Sequence, residues 1–140
     1  MRLVLDTNVL LSALLSTNSP PAQILALWRS RKFDVLTTDA QIDELSRVTR
    51  YPKIRARLAP ALSGRLLNRL RDLAVLVQKL PKIDMSPDPD DNYLLALAQA
   101  GQAQFLVTGD KPLLAMKRYK STLIITPPVF LAMLKGKAGK

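Results

Sequence analysis

Carboxylates are the side chains of this sequence best suited to catalysis, and the strongest candidates are four acids far apart along the chain: Asp6, Glu44, Asp91 and Asp110. The 140 residues include no histidine and no cysteine. That composition excludes an ordinary zinc site, a cysteine nucleophile and a histidine-based triad. Acids that meet in one place repel each other, and a hard divalent cation with oxygen ligands, Mg²⁺ or Mn²⁺, removes that repulsion. Such a cation can activate water for attack on a phosphate.

The four acids are predicted to lie at one edge of a β-sheet. Asp6 directly follows the first apolar strand, and Asp110 comes just after the fourth predicted strand. Glu44 and Asp91 lie in the first turns of the helices that follow the second and third strands. In an open parallel sheet, ligands bind beyond the carboxyl ends of the strands. The sequence therefore predicts one acidic site assembled from four separate connections.

Helical phase, at about 100° per residue, indicates which acids face inward. Glu44 borders the apolar stripe of its helix, whereas Asp43 points away from the stripe toward solvent. Asp91 is in line with the apolar face of the later helix, but Asp90 also borders that face, so both stay candidates. Further polar groups at or near this site are Thr7, Asn8, Asp88, Asp90 and Thr108.

The elements that must position these acids alternate between strand and helix. Continuous apolar strands separated by helices predict a three-layer α/β/α sandwich with a central, mostly parallel sheet of four to five strands. The strands are expected at 3–5, 33–38, 75–80, 105–108 and 123–126. Helices are expected at about 9–16, 21–31, 40–49, 52–57, 60–73, 91–100 and 111–117, and from 127 onward. The length predicts a single domain over 1–135, with 136–140 as a frayed basic tail.

The charge balance favours a polyanionic partner. Lys and Arg total 21 against 11 Asp and Glu, which gives a net charge of +10. The basic residues expected to contact phosphates follow the Glu44 helix or adjoin Asp110: Arg50, Lys53, Arg55, Arg57 and Lys111. No apolar stretch approaches the roughly 18 residues of a membrane span, and the N-terminus lacks a signal-like apolar run. We therefore expect a cytoplasmic protein with no membrane partner.

Four segments, in order, resemble the motifs of the PIN-domain family, specifically the bacterial members of toxin–antitoxin systems. The segments are 5–9 (Leu-Asp-Thr-Asn-Val), 44–48 with 50–53, 88–92 (Asp-Pro-Asp-Asp-Asn) with 95–98, and 107–111 (Val-Thr-Gly-Asp-Lys). The likeness covers essentially the whole chain. It implies a PIN-like fold and a metal-dependent ribonuclease that hydrolyses phosphodiester bonds in RNA.

The resemblance also implies roles for individual residues and partners. Asp6 and Asp91 correspond to metal ligands, direct or through water, and Asp110 to a second metal position or to a group that orients water. Glu44 corresponds to a residue that positions the attacking water or helps to hold a metal. Members of the family usually pair as homodimers or higher homo-oligomers, and toxins of this kind are held inactive by an antitoxin protein. Arg65 and Arg69, with Arg71 as a further candidate, share roughly one helix surface and are expected to contact RNA or an acidic antitoxin segment.

Three alternatives stay open at this point. The same fold could be a catalytically silent module that binds RNA or a protein partner, although the four acids are all present. A phosphatase or receiver domain with an aspartyl nucleophile is disfavoured, because Asn8 stands where a dehalogenase-like Asp-x-Asp signature needs its second acid. A DNA substrate would leave the same acids and the same charge. The sequence also leaves open whether one or two metals act.

Overall fold

The computed structural model describes residues 1–86 and 88–138. Within these ranges six strands form a single sheet. They are β1 (Arg2–Leu5), β2 (Asp34–Thr37), β3 (Val75–Leu76), β4 (Phe105–Val107), β5 (Arg118–Tyr119) and β6 (Thr122–Ile125). Their order across the sheet is β3-β2-β1-β4-β6-β5, with every neighbouring pair parallel except β5 and β6. The predicted mostly parallel sheet is thus confirmed.

Helices cover both faces of the sheet and complete the predicted sandwich. They are α1 (Thr7–Leu15), α2 (Pro20–Arg29), α3 (Asp39–Val48), α4 (Pro52–Arg55), α5 (Pro60–Leu73), α6 (Asn92–Ala100), α7 (Lys111–Met116) and α8 (Pro127–Ala138). A 3₁₀ turn, Pro89–Asp91, leads into α6. Helix α8 includes the first three residues of the segment expected to be a frayed tail, and residues 139–140 lie outside the described ranges. None of the described helices is long and apolar enough to cross a membrane.

The apolar strands are explained by burial on both faces of the sheet. Leu3 and Leu5 pack into one core cluster with Trp28, whereas Val4 between them packs into the opposite cluster with Leu95. Successive side chains of a strand point to opposite faces, so a strand covered on both sides must be apolar throughout. Because both faces are packed, the sheet holds the residues that follow the strand ends in fixed positions.

The strand order places a crevice at the carboxyl end of β1. The chain first adds β2 on one side of β1 and later adds β4 on the other, and ligands bind at such a switch point. The buried side chain of Gln41 reinforces this edge of the sheet. Its amide nitrogen Nε2 donates to the Leu5 carbonyl at 2.6 Å, and its Oε1 accepts from the Thr37 hydroxyl at 2.7 Å. Helix α3 is thereby tied to the ends of β1 and β2.

Two strands depart from the sequence prediction. The third strand covers only Val75–Leu76 rather than 75–80, because after Val77 donates its N–H to Thr37 the chain leaves the sheet edge. The added strand β5 pairs antiparallel with β6 through a tight turn at Lys120, whose φ is 52°. A lysine in the left-handed region carries none of the glycine signal by which such turns are recognised in sequence.

Candidate active site

Three of the four predicted acids occupy the N-cap position of a helix, at the carboxyl edge of the sheet. Asp6 caps α1 directly after β1, Asp91 stands at the start of α6, and Asp110 caps α7 after β4. The positive end of a helix dipole favours a carboxylate at this position. Asp110 also accepts a hydrogen bond from the Leu113 amide at 3.1 Å, so the carboxylate both starts its helix and faces the same edge.

Asp6 is the most deeply buried of these acids, with 7% of its surface exposed. The Thr108 hydroxyl donates to Asp6 Oδ2 at 2.7 Å and accepts from the Asp110 amide at 3.0 Å, so one side chain links two acid positions. Burial raises the pKa of Asp6 from its usual value, and the Thr108 hydroxyl and the Asn8 amide oppose that rise by hydrogen bonding. The negative charges of Glu44 and Asp110 raise this pKa further.

Glu44 reaches the site from α3, as the helical phase predicted. It is half-buried, whereas its neighbour Asp43 is exposed. Its Oε1 accepts hydrogen bonds from the Thr7 hydroxyl and from the Tyr93 hydroxyl, the latter at 2.7 Å. The two hydroxyl oxygens are 3.1 Å apart, so the three oxygens form a compact triangle. Burial raises the pKa of Tyr93 well above its ordinary value. The contact with the Thr7 hydroxyl opposes that rise, and the hydrogen bond to Glu44 and the negative charges nearby add to it.

Burial favours Asp91 over Asp90, the two candidates that the sequence left open. Asp91 is half-buried, whereas Asp90 is exposed. Burial raises the pKa of Asp91 to about 6, and the charges of four other carboxylates add to the rise: Asp6, Asp110, Asp88 and Glu44. Within the described residues its side chain makes no capping bond to its own helix. The Asp91 carboxylate is therefore held among like charges.

The remaining polar candidates have supporting positions. Thr7 and Thr108 are buried hydrogen-bonding groups, whereas the Asn8 side chain is exposed. Asp88 is exposed and accepts from the Asp90 amide at 3.0 Å, as a cap of the 3₁₀ turn. Sequence reasoning missed the adjacent Asn92, whose Oδ1 accepts from the Ser86 amide at 2.8 Å and so fixes the acidic loop. It also missed Gln41 and the hydroxyl of Tyr93 as parts of the site.

The donor set suits a hydrated divalent cation better than a closed metal cage. In the part of the chain that the structure describes, no three acidic side chains lie close enough to hold one ion as they stand. Mg²⁺ usually keeps several waters and takes only one or two carboxylates directly. Burial and the neighbouring carboxylates together raise the pKa of Asp91. A divalent cation beside these acids would offset both the burial of the charge and the repulsion. The residues present thus fit such an ion, with water between some of the acids.

The predicted phosphate-contacting residues lie on exposed surface. Arg50, Lys53, Arg55, Arg57 and Lys111 are all exposed. The first four follow the Glu44 helix, and Lys111 adjoins Asp110. Arg47, which the sequence did not single out, lies about one helical turn beyond Glu44. A hydrogen bond to Tyr51, with the charges of Tyr51, Glu44 and Asp90, raises the pKa of Arg47.

A second charged region, which we call the arginine groove, lies between α1, α2 and α5. Its cavity has a volume of about 450 Å³, and its charged lining consists of Arg29, Arg65 and Arg69. The apolar part of the lining includes Leu14 and Leu66. Burial and then the positive charge of Arg29 lower the pKa of Arg69. The groove thus combines apolar surface with crowded positive charge.

Comparisons with known proteins agree with this architecture. A family model described as PIN domain matches residues 2–112. An uncharacterized protein, MJ1680, from Methanocaldococcus jannaschii is 28% identical over 118 residues, which cover 84% of this chain and 76% of that protein. A chain in the crystal structure of VapBC2 from Rickettsia felis bound to a DNA fragment from their promoter superposes with a TM-score of 0.57 at 15% identity, over 90% of this chain and 98% of that one. The PIN domain of human SMG5 superposes with a TM-score of 0.53 at 18% identity, over 95% and 99%.

Proposed function

The chain belongs to the PIN-domain family, and from that premise we propose that it is a divalent-metal-dependent endoribonuclease. PIN domains are generally nucleases, and membership of the family therefore supports a nuclease activity. The observation that carries the proposal is the convergence of Asp6, Glu44, Asp91 and Asp110 at the carboxyl edge of the sheet. Burial, with the negative charges of the neighbouring acids adding to it, raises the pKa of Asp91 to about 6. Such concentrated negative charge suits a cation that is held for phosphate chemistry.

We propose different roles for the residues of the site. Asp6, Asp91 and Asp110 would hold Mg²⁺ or Mn²⁺, which supplies charge neutralisation and Lewis acidity at the phosphate. Thr108 keeps Asp6 in place by donating to its Oδ2. Glu44 orients the attacking water, and the exposed bases Arg50, Lys53, Arg55, Arg57 and Lys111 bind the phosphates of the substrate in a salt-dependent manner.

A nuclease assay with Mn²⁺ tests the proposal. We expect the wild type to cleave RNA and Asp6→Asn to lose activity by about 100-fold or more, on the scale of other lost electrostatic groups. Asp34→Asn is the matched control, because Asp34 is exposed at the start of β2, at the opposite edge of the sheet. Equal activity of Asp6→Asn and wild type, or an inactive wild type, would contradict the proposed nuclease activity.

A silent RNA-binding module is the second candidate, and one observation favours it. No three acids in the described ranges are close enough to hold an ion as they stand. A silent module would bind RNA in a salt-dependent way, yet the assay would give no Mn²⁺-dependent cleavage.

Parallel assays with RNA and DNA strands of the same sequence decide the substrate, and we expect RNA to be cleaved. Faster cleavage of DNA would overturn that choice.

We further propose that the protein is the toxin of a toxin–antitoxin pair. The likeness to VapBC2 supports this role, and the arginine groove suits an acidic antitoxin segment. Carboxylates of the segment would pair with Arg65 and Arg69, and its apolar side chains would cover the leucines of the groove. This surface would be hard to explain by RNA alone, because phosphates gain little from apolar lining.

The test uses a candidate antitoxin, namely the product of any gene that directly adjoins the gene for this chain. We expect it to suppress cleavage by the wild type, and to bind Arg65→Glu/Arg69→Glu at least about tenfold more weakly, since charge reversal turns attraction into repulsion. Arg71→Glu is the control, because Arg71 is exposed on the same helix outside the groove lining. Equal weakening by both variants would exclude the groove as the binding site.

Two further proposals concern the assembly and the compartment. We propose that two copies of the chain pair, as family members usually do, and light scattering of the purified protein should then give twice the mass of one chain. We also propose a cytoplasmic location, to which a cysteine-free sequence is suited because a reducing compartment costs it no disulfide. A stable monomer at micromolar concentration would contradict the first of these.

A further inference from the structure

The triangle of Thr7, Glu44 and Tyr93 is the most constrained hydrogen-bonded group at the acidic edge. Each hydroxyl has a single proton, and both hydroxyls lie within hydrogen-bonding distance of the same carboxylate oxygen, Oε1. An ionised carboxylate can accept both protons at that oxygen. Hydrogen bonds to a charged acceptor are the stronger kind, so the two together fix the Glu44 side chain in one rotamer.

The two carboxylate oxygens of Glu44 differ in their hydrogen bonding. Among the described residues, no hydrogen bond ends on Oε2, whereas Oε1 accepts two. Any group that Glu44 contacts during the reaction would therefore be met by Oε2. A carboxylate held by one oxygen presents the other at a defined position, which is the requirement for orienting a water molecule.

The two hydroxyls also tie together the segments that carry the other acids. Thr7 directly follows Asp6 at the start of α1, and Tyr93 lies two residues after Asp91 in α6. Glu44 comes from α3, on a different part of the chain. The hydrogen bonds thus set the position of Glu44 relative to both Asp6 and Asp91, and a shift of α3 would break them.

We propose that Tyr93 and Thr7 are positioning residues that hold Glu44 by Oε1 and leave Oε2 for the reacting groups. This inference rests on the proposed nuclease function and adds to it a part for two neutral side chains. Partners that hydrogen-bond a metal ligand or catalytic carboxylate typically change affinity or activity by about 10- to 100-fold when removed. We expect an effect of that size here.

The experiment compares two tyrosines whose hydroxyls donate to different side chains, Glu44 for Tyr93 and Gln99 for Tyr119. Tyr93→Phe removes the hydroxyl that donates to Glu44, and Tyr119→Phe removes the hydroxyl of another half-buried tyrosine, which donates to Gln99 at 3.1 Å and not to one of the four acids. Mn²⁺ affinity is measured by calorimetry without RNA, and kcat and KM are measured with RNA. We expect Tyr93→Phe to lower kcat or Mn²⁺ affinity about 10- to 100-fold with KM changed less than about twofold, and Tyr119→Phe to match the wild type.

Two further variants test whether the hydroxyls act through Glu44. Thr7→Val should reproduce the loss, and Thr7→Ser, which keeps the hydroxyl, should restore most of it. In a Glu44→Gln background, Tyr93→Phe should cause no additional loss of Mn²⁺ affinity or kcat, because the side chain that it positions is already changed. An equal loss in both backgrounds would show that Tyr93 acts elsewhere and would overturn the inference.

The remaining outcomes separate this inference from the function on which it rests. If the wild type binds Mn²⁺ and cleaves RNA, and Tyr93→Phe behaves like Tyr119→Phe in every measurement, the positioning role is wrong and the nuclease stands. If the wild type neither binds Mn²⁺ nor cleaves RNA, the nuclease is wrong and the positioning role falls with it.

Discussion

Like charges crowd together in two regions of this molecule, the acidic edge of the sheet and the arginine groove. At the acidic edge, Asp6 is 7% exposed and Thr108 holds its Oδ2 at 2.7 Å, so the carboxylates cannot move apart freely. In the groove, Arg29 and Arg65 are exposed on long side chains that water can screen. Repulsion between charges is stronger where water is excluded. The acidic edge therefore carries a repulsion that a counter-charge would relieve, whereas water screens much of the charge in the groove.

The largest effect is expected from the inward-facing acid of α3. Glu44→Gln should lower nuclease activity on the order of 100-fold, because the amide cannot take up a proton or accept two hydroxyl donors as a charged oxygen does. The adjacent Asp43→Asn should change activity less than about twofold, since Asp43 is exposed. Steady-state cleavage rates with Mn²⁺ check both. Similar losses of activity in the two variants would mean that the burial of Glu44 does not make it more important for cleavage than Asp43.

The next effect concerns the hydroxyl that links two acid positions. Thr108→Val should lower the free energy of unfolding by about 2 to 3 kcal/mol, because a buried carboxylate loses its donor and the Asp110 amide its acceptor. Thr122→Val is the matched control, as the buried Thr122 makes one neutral bond to the Ala103 carbonyl at 2.7 Å. Its expected cost is about 1 kcal/mol. Equal costs in urea unfolding would argue that charge plays no special part at the acidic edge.

Much of the acidic edge could be predicted because it depends on strand ends and helical phase. Continuous apolar strands require coverage on both faces, and the parallel order then brings the residues after the strands to one edge. The phase of α3 correctly separated Glu44 from Asp43. The same argument could not choose between Asp90 and Asp91, because both border the apolar face of the predicted helix. In the structure both lie in a 3₁₀ turn that precedes α6.

The supporting contacts could not be predicted because their partners are backbone groups or distant side chains. Gln41 contacts the Leu5 carbonyl, 36 residues away, and nothing in the local sequence distinguishes it from a solvated glutamine. The Tyr93 hydroxyl likewise donates to Glu44, which lies 49 residues away in the sequence. Strand β5 was missed because Lys117 and Lys120 adopt positive φ without a glycine or asparagine to indicate a turn.

A smaller effect tests whether the acids at the edge repel each other in the cation-free protein. Burial and the neighbouring carboxylates raise the pKa of Asp91 to about 6 in the folded chain, so the folded chain binds the proton more tightly than the unfolded chain. The resulting stability is present below about pH 4 and is lost as the pH rises through about 6. Asp91→Asn removes the repelled charge, and because solvent partly screens this side chain we expect a gain of about 1 kcal/mol at pH 7.5.

Unfolding of both proteins in urea at pH 4 and pH 7.5, with and without Mn²⁺, measures this effect. The advantage of Asp91→Asn should vanish at pH 4, where the wild-type carboxyl is protonated, and Mn²⁺ should stabilise the wild type more than the variant. A variant less stable than the wild type at pH 7.5 without metal would show that the acids are not repelled. The acidic edge would then need no counter-charge, and the contrast with the groove would disappear.

The smallest effect is expected in the arginine groove. Arg69→Gln removes a charge that burial and Arg29 disfavour, but it also shortens a side chain whose methylene groups cover apolar surface. The two consequences oppose each other, so the free energy of unfolding should change by less than about 0.5 kcal/mol. Arg71→Gln, on exposed surface of the same helix, is the control.

Salt sharpens this last prediction, because at about 1 M ionic strength the screening length falls to roughly 3 Å. Any stabilisation of Arg69→Gln over the wild type should therefore shrink between 50 mM and 1 M NaCl, whereas the loss of methylene contacts should not depend on salt. A loss above about 1 kcal/mol at both salt concentrations would mean that Arg69 holds the groove together. In that case the groove would be part of the core packing, and its positive charge would not be free surface that awaits an acidic partner.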